Sequence, residues 1–162
     1  MRFQRFALIL ILLLVSGCGF HLRGSVTLSA DMQILHLESS VGESDILQEL
    51  RRALNSGNVE VVDSPQPGVY SLGLGQEEIE ERVLSVNSNA RAGEYELSIS
   101  IPVQLRSGQV LVFGPEILTI EKVYLADPNN AVAKQEEREI MEEEIRSELA
   151  IQILRLLQNI DP

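Results

Sequence analysis

The strongest constraint on the fold is a segment, positions 94–105, in which polar and apolar residues alternate without a break. The apolar residues are Tyr95, Leu97, Ile99, Ile101, Val103 and Leu105, and the polar-face residues are Glu94, Glu96, Ser98, Ser100, Pro102 and Gln104. Because successive side chains of a strand point to opposite sides of its sheet, the pattern predicts one buried face and one face toward water. Pro102 lacks a backbone N–H and therefore predicts an interrupted ladder or a sheet edge.

Two further extended segments flank this strand, at 69–86 and 110–124. Arg106-Ser107-Gly108-Gln109 predicts a hairpin loop before the last of them, and the polar residues 87–92 predict a loop at the opposite end. Consecutive strands joined by short loops form antiparallel pairs, so most of the sheet is expected to be antiparallel.

Residues 33–62 predict a strand, a helix and a second strand. Residues 33–37 and 59–62 are short apolar runs, and a helix is predicted between them from Gly42 or Ser44 to about Ser56. Its apolar face is formed by Ile46, Leu47, Leu50 and Leu54. Gly57 is predicted to end the helix in a left-handed conformation. This order is typical of a βαβ unit.

A long helix is predicted at 132–158. Its apolar stripe is formed by Ile140, Met141, Ile145, Leu149, Ile153, Leu156 and Leu157. The opposite side is rich in glutamate, which we interpret as a solvated helix face. The prediction is an α+β two-layer sandwich, with two helices on one face of a roughly four-stranded, mostly antiparallel (mixed) sheet.

The N-terminus has the layout of an export signal. Arg2 and Arg5 precede an apolar run at 6–15, which is followed by Ser16-Gly17-Cys18. The run is shorter than the roughly 20 apolar residues that a membrane-spanning helix needs. The end of the segment resembles a bacterial lipobox, which implies cleavage after residue 17 and lipidation of Cys18. The alternative is an ordinary secretory signal with an incidental cysteine.

Lipidation would also explain why Cys18 is the single cysteine of the chain. A lone thiol cannot form an internal disulfide, so the hydrophobic core must hold the fold. Two or three acyl chains would make the attachment effectively permanent, since one chain binds a membrane only marginally. An aspartate directly after the lipidated cysteine would resemble an inner-membrane retention signal. Position 19 is glycine instead, so the resemblance favours transport to the outer membrane.

Composition excludes several classes of partner. Removing 17 of the 162 residues leaves 145, which suits one domain at 18–162. The 13 basic residues less the two in the signal, set against 24 acidic residues, give a net charge of −13. Nucleic acid is therefore not an expected partner, because its phosphates must be neutralised by lysine and arginine. The simplest role of the acidity is solubility.

No catalytic or metal-binding motif is present in the sequence. The histidines are His21 and His36, and neither a CxxC nor an HExxH spacing occurs. A pair of carboxylates for sugar hydrolysis remains the alternative, although 24 acidic residues make chance pairs uninformative. We therefore predict a protein that is not an enzyme, with no cofactor and no metal.

Three segments of the chain carry a family likeness: Cys18-Gly19-Phe20-His21-Leu22-Arg23-Gly24, Gly93-Glu94-Tyr95-Glu96 and Asp127-Pro128-Asn129-Asn130-Ala131-Val132-Ala133-Lys134. They resemble the LptE family of lipopolysaccharide-assembly lipoproteins. The resemblance implies an outer-membrane lipoprotein on the periplasmic side, within the lumen of the β-barrel partner LptD. It also implies contact with lipopolysaccharide during insertion into the outer leaflet. The alternative is a lipoprotein pilot for another outer-membrane channel.

Lipopolysaccharide carries phosphates, so basic side chains are the candidate contacts. Lys134 lies at the predicted start of the last helix, where free backbone N–H groups favour an anion. Arg91 lies in the polar loop before the alternating strand, and Arg106 at the hairpin is a third candidate. The alternative is that all three are ordinary solvated surface cations.

Overall fold

The computed structural model describes residues 28–86, 92–125, 127 and 130–160. After a 3₁₀ turn at Ala30–Met32, these residues form two helices and six strands. The strands are β1 (Ile34–Ser39), β2 (Glu60–Val62), β3 (Tyr70–Leu74), β4 (Glu78–Val86), β5 (Ala92–Ser107) and β6 (Val110–Leu125); the helices are α1 (Asp45–Ser56) and α2 (Ala131–Asn159). The predicted α+β class, with two helices on one face of a mixed sheet, is confirmed. The described sheet has six strands rather than about four, in part because segment 69–86 forms two of them.

Strand β5 is the centre of the sheet. One of its sides pairs with β6 along almost its whole length, and its other side pairs with β3 at residues 103–107 and with β4 at residues 92–100. All of these pairs are antiparallel, whereas β1 runs parallel to both β2 and β3. The β1–α1–β2 segment is therefore the βαβ unit that the sequence predicted.

Pro102 lies where the ladder on one side of β5 changes partner. The pairing with β3 ends at Val103 and the pairing with β4 begins at Ser100, while the Pro102 carbonyl accepts a hydrogen bond from Gly75 N–H at 2.8 Å. A Cβ on Gly75 would lie 2.7 Å from the proline ring, so this close approach requires glycine. The interrupted ladder predicted from Pro102 is confirmed, and the alternative of a sheet edge is wrong.

The core lies between the sheet and the two helices. Every apolar residue of the alternating segment is buried there, as predicted: Tyr95, Leu97, Ile99, Ile101, Val103 and Leu105. Helix α1 adds Ile46, Leu47, Leu50 and Leu54, and the middle and end of α2 add Ile145, Leu149, Ile153 and Leu157. Burying a side chain of this kind contributes roughly 1.5–3 kcal/mol, so this layer holds the fold together.

Two local predictions are wrong. Ile140 is predicted in the apolar stripe of α2, but the residue is 53% exposed, because it precedes the buried Ile145 by five positions and so lies about 140° away from it around the helix. Gly57 was expected in the left-handed conformation, but its φ is −84° and the left-handed residue is Asn58, with φ of 60°. Asparagine tolerates this conformation better than most residues, because its short polar side chain can hydrogen-bond locally.

Two long strands have an unpaired outer edge among the described residues. β4 and β6 each pair with β5 alone, so the outward N–H and C=O groups of Glu78–Val86 and Val110–Leu125 have no strand of the described part beside them. No helix of the described part has the length and apolar character needed to cross a membrane.

Candidate functional site

The candidate site is a polar cluster where the first turns of α2 lie over β4, β5 and β6. It consists of Glu81, Tyr95, Tyr124, Lys134 and Arg138, and we call it the Glu81 cluster. Tyr95 of β5 lies opposite Val83 of β4 on one side and opposite Tyr124 of β6 on the other. Because Glu81 is two positions from Val83 in β4, its side chain is on the same face of the sheet as both tyrosines. Lys134 and Arg138 are four residues apart and therefore lie on one side of the helix.

The ammonium group of Lys134 makes two contacts. Its Nζ donates to Oε1 of Glu81 at 2.6 Å, and the same atom lies 3.7 Å from the centroid of the Tyr95 ring. The Tyr95 and Tyr124 rings stack with centroids 5.4 Å apart. The Lys134 side chain is 29% exposed and that of Glu81 is 22% exposed, so solvent reaches both. An ion pair combined with a cation–π contact fixes the position of this cation.

The second oxygen of Glu81 is held from two other elements. The Tyr124 hydroxyl donates to Oε2 at 2.5 Å, and Nε of Arg138 lies 3.9 Å from the same oxygen. Arg138 Nε also lies 3.1 Å from Oε1 of Glu142, yet this buried atom has no hydrogen bond of acceptable geometry. Two cations and one phenol therefore surround a single carboxylate.

The cluster shifts the pKa of two of its members. Burial raises the pKa of Glu81, but hydrogen bonds from Lys134 and Tyr124, with the positive charges of Lys134 and Arg138, lower it to a net value below the ordinary 4.5. Burial raises the pKa of Tyr124 well above its ordinary 10, and the hydrogen bond to Glu81 and its negative charge raise it further. At neutral pH the carboxylate is therefore ionised and the phenol keeps its proton.

The start of α2 offers fewer free donors than the sequence predicted. Asn130 precedes the helix, and its side-chain Oδ1 accepts a hydrogen bond from Ala133 N–H at 3.1 Å. The N–H of Lys134 donates to the carbonyl of Asn130 at 3.1 Å. The positive charge that could bind an anion at this place comes from two side chains, Lys134 and Arg138.

The predicted contact residues are not all brought together. Arg106 lies at the other end of β5, where its Nη2 donates to the carbonyl of Gln109 at 3.0 Å. Tyr95 and Arg106 are separated by eleven positions of one strand, which corresponds to roughly 36 Å. One phosphate group therefore cannot contact both Lys134 and Arg106. Cys18 and Arg91 lie outside the described residues.

Sequence reasoning missed Arg138, Glu81 and both tyrosines. One signal was available for Arg138: it follows Lys134 by four positions, and these two are the only cations of residues 131–144. No local signal marks Glu81, which is one of several glutamates near it in the sequence. Its role depends on strand register, since only the pairing of β4 with β5 places it beside the tyrosines.

One other polar surface of the described residues also brings two cations together, Arg52 and Arg146, but carboxylates outnumber them there. A groove between α1 and α2 is lined mainly by carboxylates, among them Glu49, Glu139 and Glu143. No group of three His, Cys, Asp or Glu residues in the described part could hold a metal ion.

The fold is that of solved bacterial lipoproteins. Rare lipoprotein B of Shewanella oneidensis has a TM-score of 0.68 and 30% identity, over 76% of this chain and 92% of that one. A lipoprotein B of Nitrosomonas europaea has a TM-score of 0.71 at 20% identity, over 86% of this chain and 90% of that one, and shows the fold alone.

Sequence comparison identifies the family. The profile of the LptE family, described as lipopolysaccharide-assembly, matches residues 32–157. The LPS-assembly lipoprotein LptE of Pectobacterium atrosepticum is 30% identical over 99% of this chain and 89% of its own length. The protein of the same name from Yersinia enterocolitica is 30% identical over 91% of this chain and 72% of its own. The chain belongs to the LptE family.

Proposed function

We propose that this chain is a non-catalytic outer-membrane lipoprotein of lipopolysaccharide assembly that works in complex with the β-barrel LptD. The observation that carries the proposal is the LptE family match across residues 32–157, which contain both helices of the described fold except for the end of α2. Relatives named for lipopolysaccharide assembly match 91% or more of the chain, including its N-terminal part in the case of the Pectobacterium protein.

The N-terminal segment supplies the proposed membrane attachment. Residues 1–17 act as the export signal, Cys18 carries the lipid, and residues 18–162 form the mature domain. A tether restricts the search for a membrane partner and so raises the effective concentration of the domain beside it. The domain then occupies the lumen of LptD, where the polar residues on the outer face of β5 are compatible with water.

The Glu81 cluster is the proposed contact for lipopolysaccharide phosphate. Lys134 is the central residue, because it is the predicted contact that the described structure places beside a second cation, Arg138. Ion pairs with phosphate are among the stronger hydrogen-bonded contacts in proteins. Arg91 remains a proposed contact of the same ligand, and Arg106 would have to reach a different part of it.

Co-purification tests the partner. The lipoprotein is extracted from membranes in mild detergent, and the proteins bound to it are identified. LptD is the expected barrel, and depletion of the lipoprotein should reduce mature LptD and surface lipopolysaccharide. Recovery of a different channel would favour a pilot role instead, and unchanged LptD and surface lipopolysaccharide after depletion would overturn the proposal.

Substitution of Lys134 tests the ligand contact. Lys134→Met should weaken lipopolysaccharide binding about tenfold, which corresponds to the loss of one charged hydrogen bond. Lys122→Met is the matched control, because Lys122 is the other lysine of the chain and pairs with Glu144 and Glu148 instead of with a member of the cluster. Equal effects of the two substitutions would contradict the assignment.

A further inference from the structure

The carboxylate of Glu81 occupies a position in which three separate donors meet. Lys134 Nζ donates to one oxygen, while the Tyr124 hydroxyl donates to the other, 3.9 Å from Arg138 Nε. These donors come from α2 and β6, whereas Glu81 comes from β4. The ammonium and guanidinium groups that converge on this carboxylate are equally suited to the oxygens of a phosphate group, whereas the Tyr124 hydroxyl holds Glu81 alone. The chain's own glutamate therefore fills an oxyanion site.

One hydrogen-bond donor of this site has no acceptor of its own. Arg138 Nε is buried and has no hydrogen bond in the structure, although carboxylates of Glu81 and Glu142 lie nearby. A buried donor without a well-aligned acceptor is destabilising. A phosphate group offers more acceptor oxygens than a carboxylate and could satisfy Arg138 and Lys134 together. The unsatisfied donor favours a larger oxyanion than Glu81.

The contacts of Glu81 also lie at a partly exposed position, where replacing its carboxylate by another anion costs little free energy. No side chain of residues 131–144 is buried, so the first half of α2 rests on the sheet through polar contacts. Lys134, Arg138 and Glu81 are each 22–35% exposed. By contrast, the ion pair between Arg146 and Glu77 leaves only 12% and 14% of the two side chains exposed. When another anion displaces Glu81 from the two cations, water can therefore hydrate the released carboxylate.

We propose that Glu81 is an internal competitor of the ligand, and that a phosphate group binds Lys134 and Arg138 by displacing its carboxylate. The inference rests on the proposed function, in which lipopolysaccharide supplies that phosphate. Glu81 then has two effects: it keeps the two cations in place while the site is empty, and it sets a threshold that weak anions do not overcome. The affinity for the phosphorylated ligand then depends on the difference between two binding free energies, that of the phosphate and that of the Glu81 carboxylate at the same donors.

The test compares Glu81→Gln with the native protein in full-length, detergent-solubilised form. Glutamine keeps the shape of the side chain and removes its charge, so lipopolysaccharide should bind about tenfold more tightly. Glu144→Gln is the matched control, because Glu144 is the partner of the other lysine, Lys122, at 3.1 Å. It should leave the affinity within about twofold of the native value. Equal gains in both variants would indicate a general charge effect and overturn the inference.

Two further ligands identify the group that is bound. Lipopolysaccharide from which phosphates have been removed should show no gain with Glu81→Gln, because the displaced contact is specific to phosphate. Inorganic phosphate should compete with lipopolysaccharide at lower concentration in the variant than in the native protein. A full gain with the dephosphorylated ligand would overturn the inference.

A second variant keeps the inference testable if Glu81→Gln disturbs the fold. Tyr124→Phe removes the hydrogen bond that holds Oε2 of Glu81 and changes no charge, so it should raise affinity by about two- to threefold. If lipopolysaccharide binding depends on Lys134 but neither variant strengthens it, the competitor role is wrong and the proposed function stands. If binding is independent of both Lys134 and Glu81, the proposed contact itself is wrong.

Discussion

Arg146 of α2 donates two hydrogen bonds to one carboxylate oxygen of Glu77, from Nη2 at 2.8 Å and from Nε at 3.0 Å, although the residues are 69 positions apart. Glu77 immediately precedes β4, so this contact joins the middle of the helix to the start of that strand. Glu142 lies 3.2 Å from the same guanidinium and adds a second carboxylate. The contact holds the middle of α2 beside the sheet, next to the half of the helix that carries Lys134 and Arg138.

We predict that Arg146→Ala destabilises the protein by about 3 kcal/mol, because the largely enclosed carboxylate of Glu77 would lose its partner. Urea unfolding followed by circular dichroism measures the change. Arg52→Ala is the control: the Arg52 side chain is 73% exposed and its ion pair with Glu49 should contribute no more than about 1 kcal/mol. Similar losses in the two variants would contradict the prediction.

We predict that Ile99→Ala costs about 3 kcal/mol of unfolding free energy, since Ile99 is fully buried at the centre of β5 and truncation leaves a cavity. Its cross-strand partner Ile79 provides the comparison, because that side chain is 37% exposed. Ile79→Ala should therefore cost clearly less, on the order of 1 kcal/mol. The same unfolding experiment serves both, and a greater loss for Ile79→Ala would be inconsistent with the structure.

We predict that Glu81 makes stability depend on acid pH. Its pKa in the folded protein is lower than the ordinary 4.5, so its contribution is complete above about pH 4.5 and is lost as the pH falls through the folded-state pKa. The stability difference between the native protein and Glu81→Gln should therefore shrink as the pH is lowered from 7 to 3. A difference that stays constant over this range would show that the carboxylate is not held as described.

We predict that Tyr124 ionises at a higher pH than an ordinary tyrosine. Burial raises the pKa of its phenol first, and the hydrogen bond to Glu81 and its negative charge add to the effect. Absorbance near the phenolate band, compared between the native protein and Tyr124→Phe, isolates its titration. In Glu81→Gln the pKa of Tyr124 should fall, because one of its causes is removed; an unchanged value would contradict the contact.

We predict that Cys18→Ser abolishes lipid attachment and leaves the folding of the domain intact. Cys18 precedes the described core, whose apolar residues begin at Leu28. Metabolic labelling with a radioactive or clickable fatty acid tests attachment, and circular dichroism of the purified variant tests the fold. Labelling that persists in the variant would refute lipidation at this residue, and loss of structure would refute an anchor independent of the domain.

The sequence predicted the core better than the cluster, for a physical reason. Burial follows from the spacing of apolar residues along one strand or helix, so the alternating residues of β5 and the stripe from Ile145 to Leu157 could be read directly. The partners of Lys134 could not, because Glu81 lies 53 positions earlier and reaches it only through the register of β4 on β5. Periodicity decides which face of the sheet a residue is on, but not which residue of β5 lies opposite Glu81.

The errors at Ile140 and Gly57 have separate causes. Ile140 is off the helical periodicity of the buried stripe, because it precedes Ile145 by five positions and so lies about 140° away from it around the helix, which leaves its side chain exposed. At the end of α1, either Gly57 or Asn58 could adopt the left-handed conformation, and the structure places it at Asn58. Local preference alone did not distinguish the two neighbours.

The edges of β4 and β6, which no other strand of the described residues covers, have a consequence for the protein in concentrated solution. An open strand edge is a template on which a second copy can add its own edge. On β4, Glu78, Glu80 and Glu81 outnumber Arg82, and the whole chain has a formal net charge of −11, so two copies approaching edge to edge repel each other. The acidity therefore acts as a colloidal barrier in place of a covered edge, and added salt lowers that barrier.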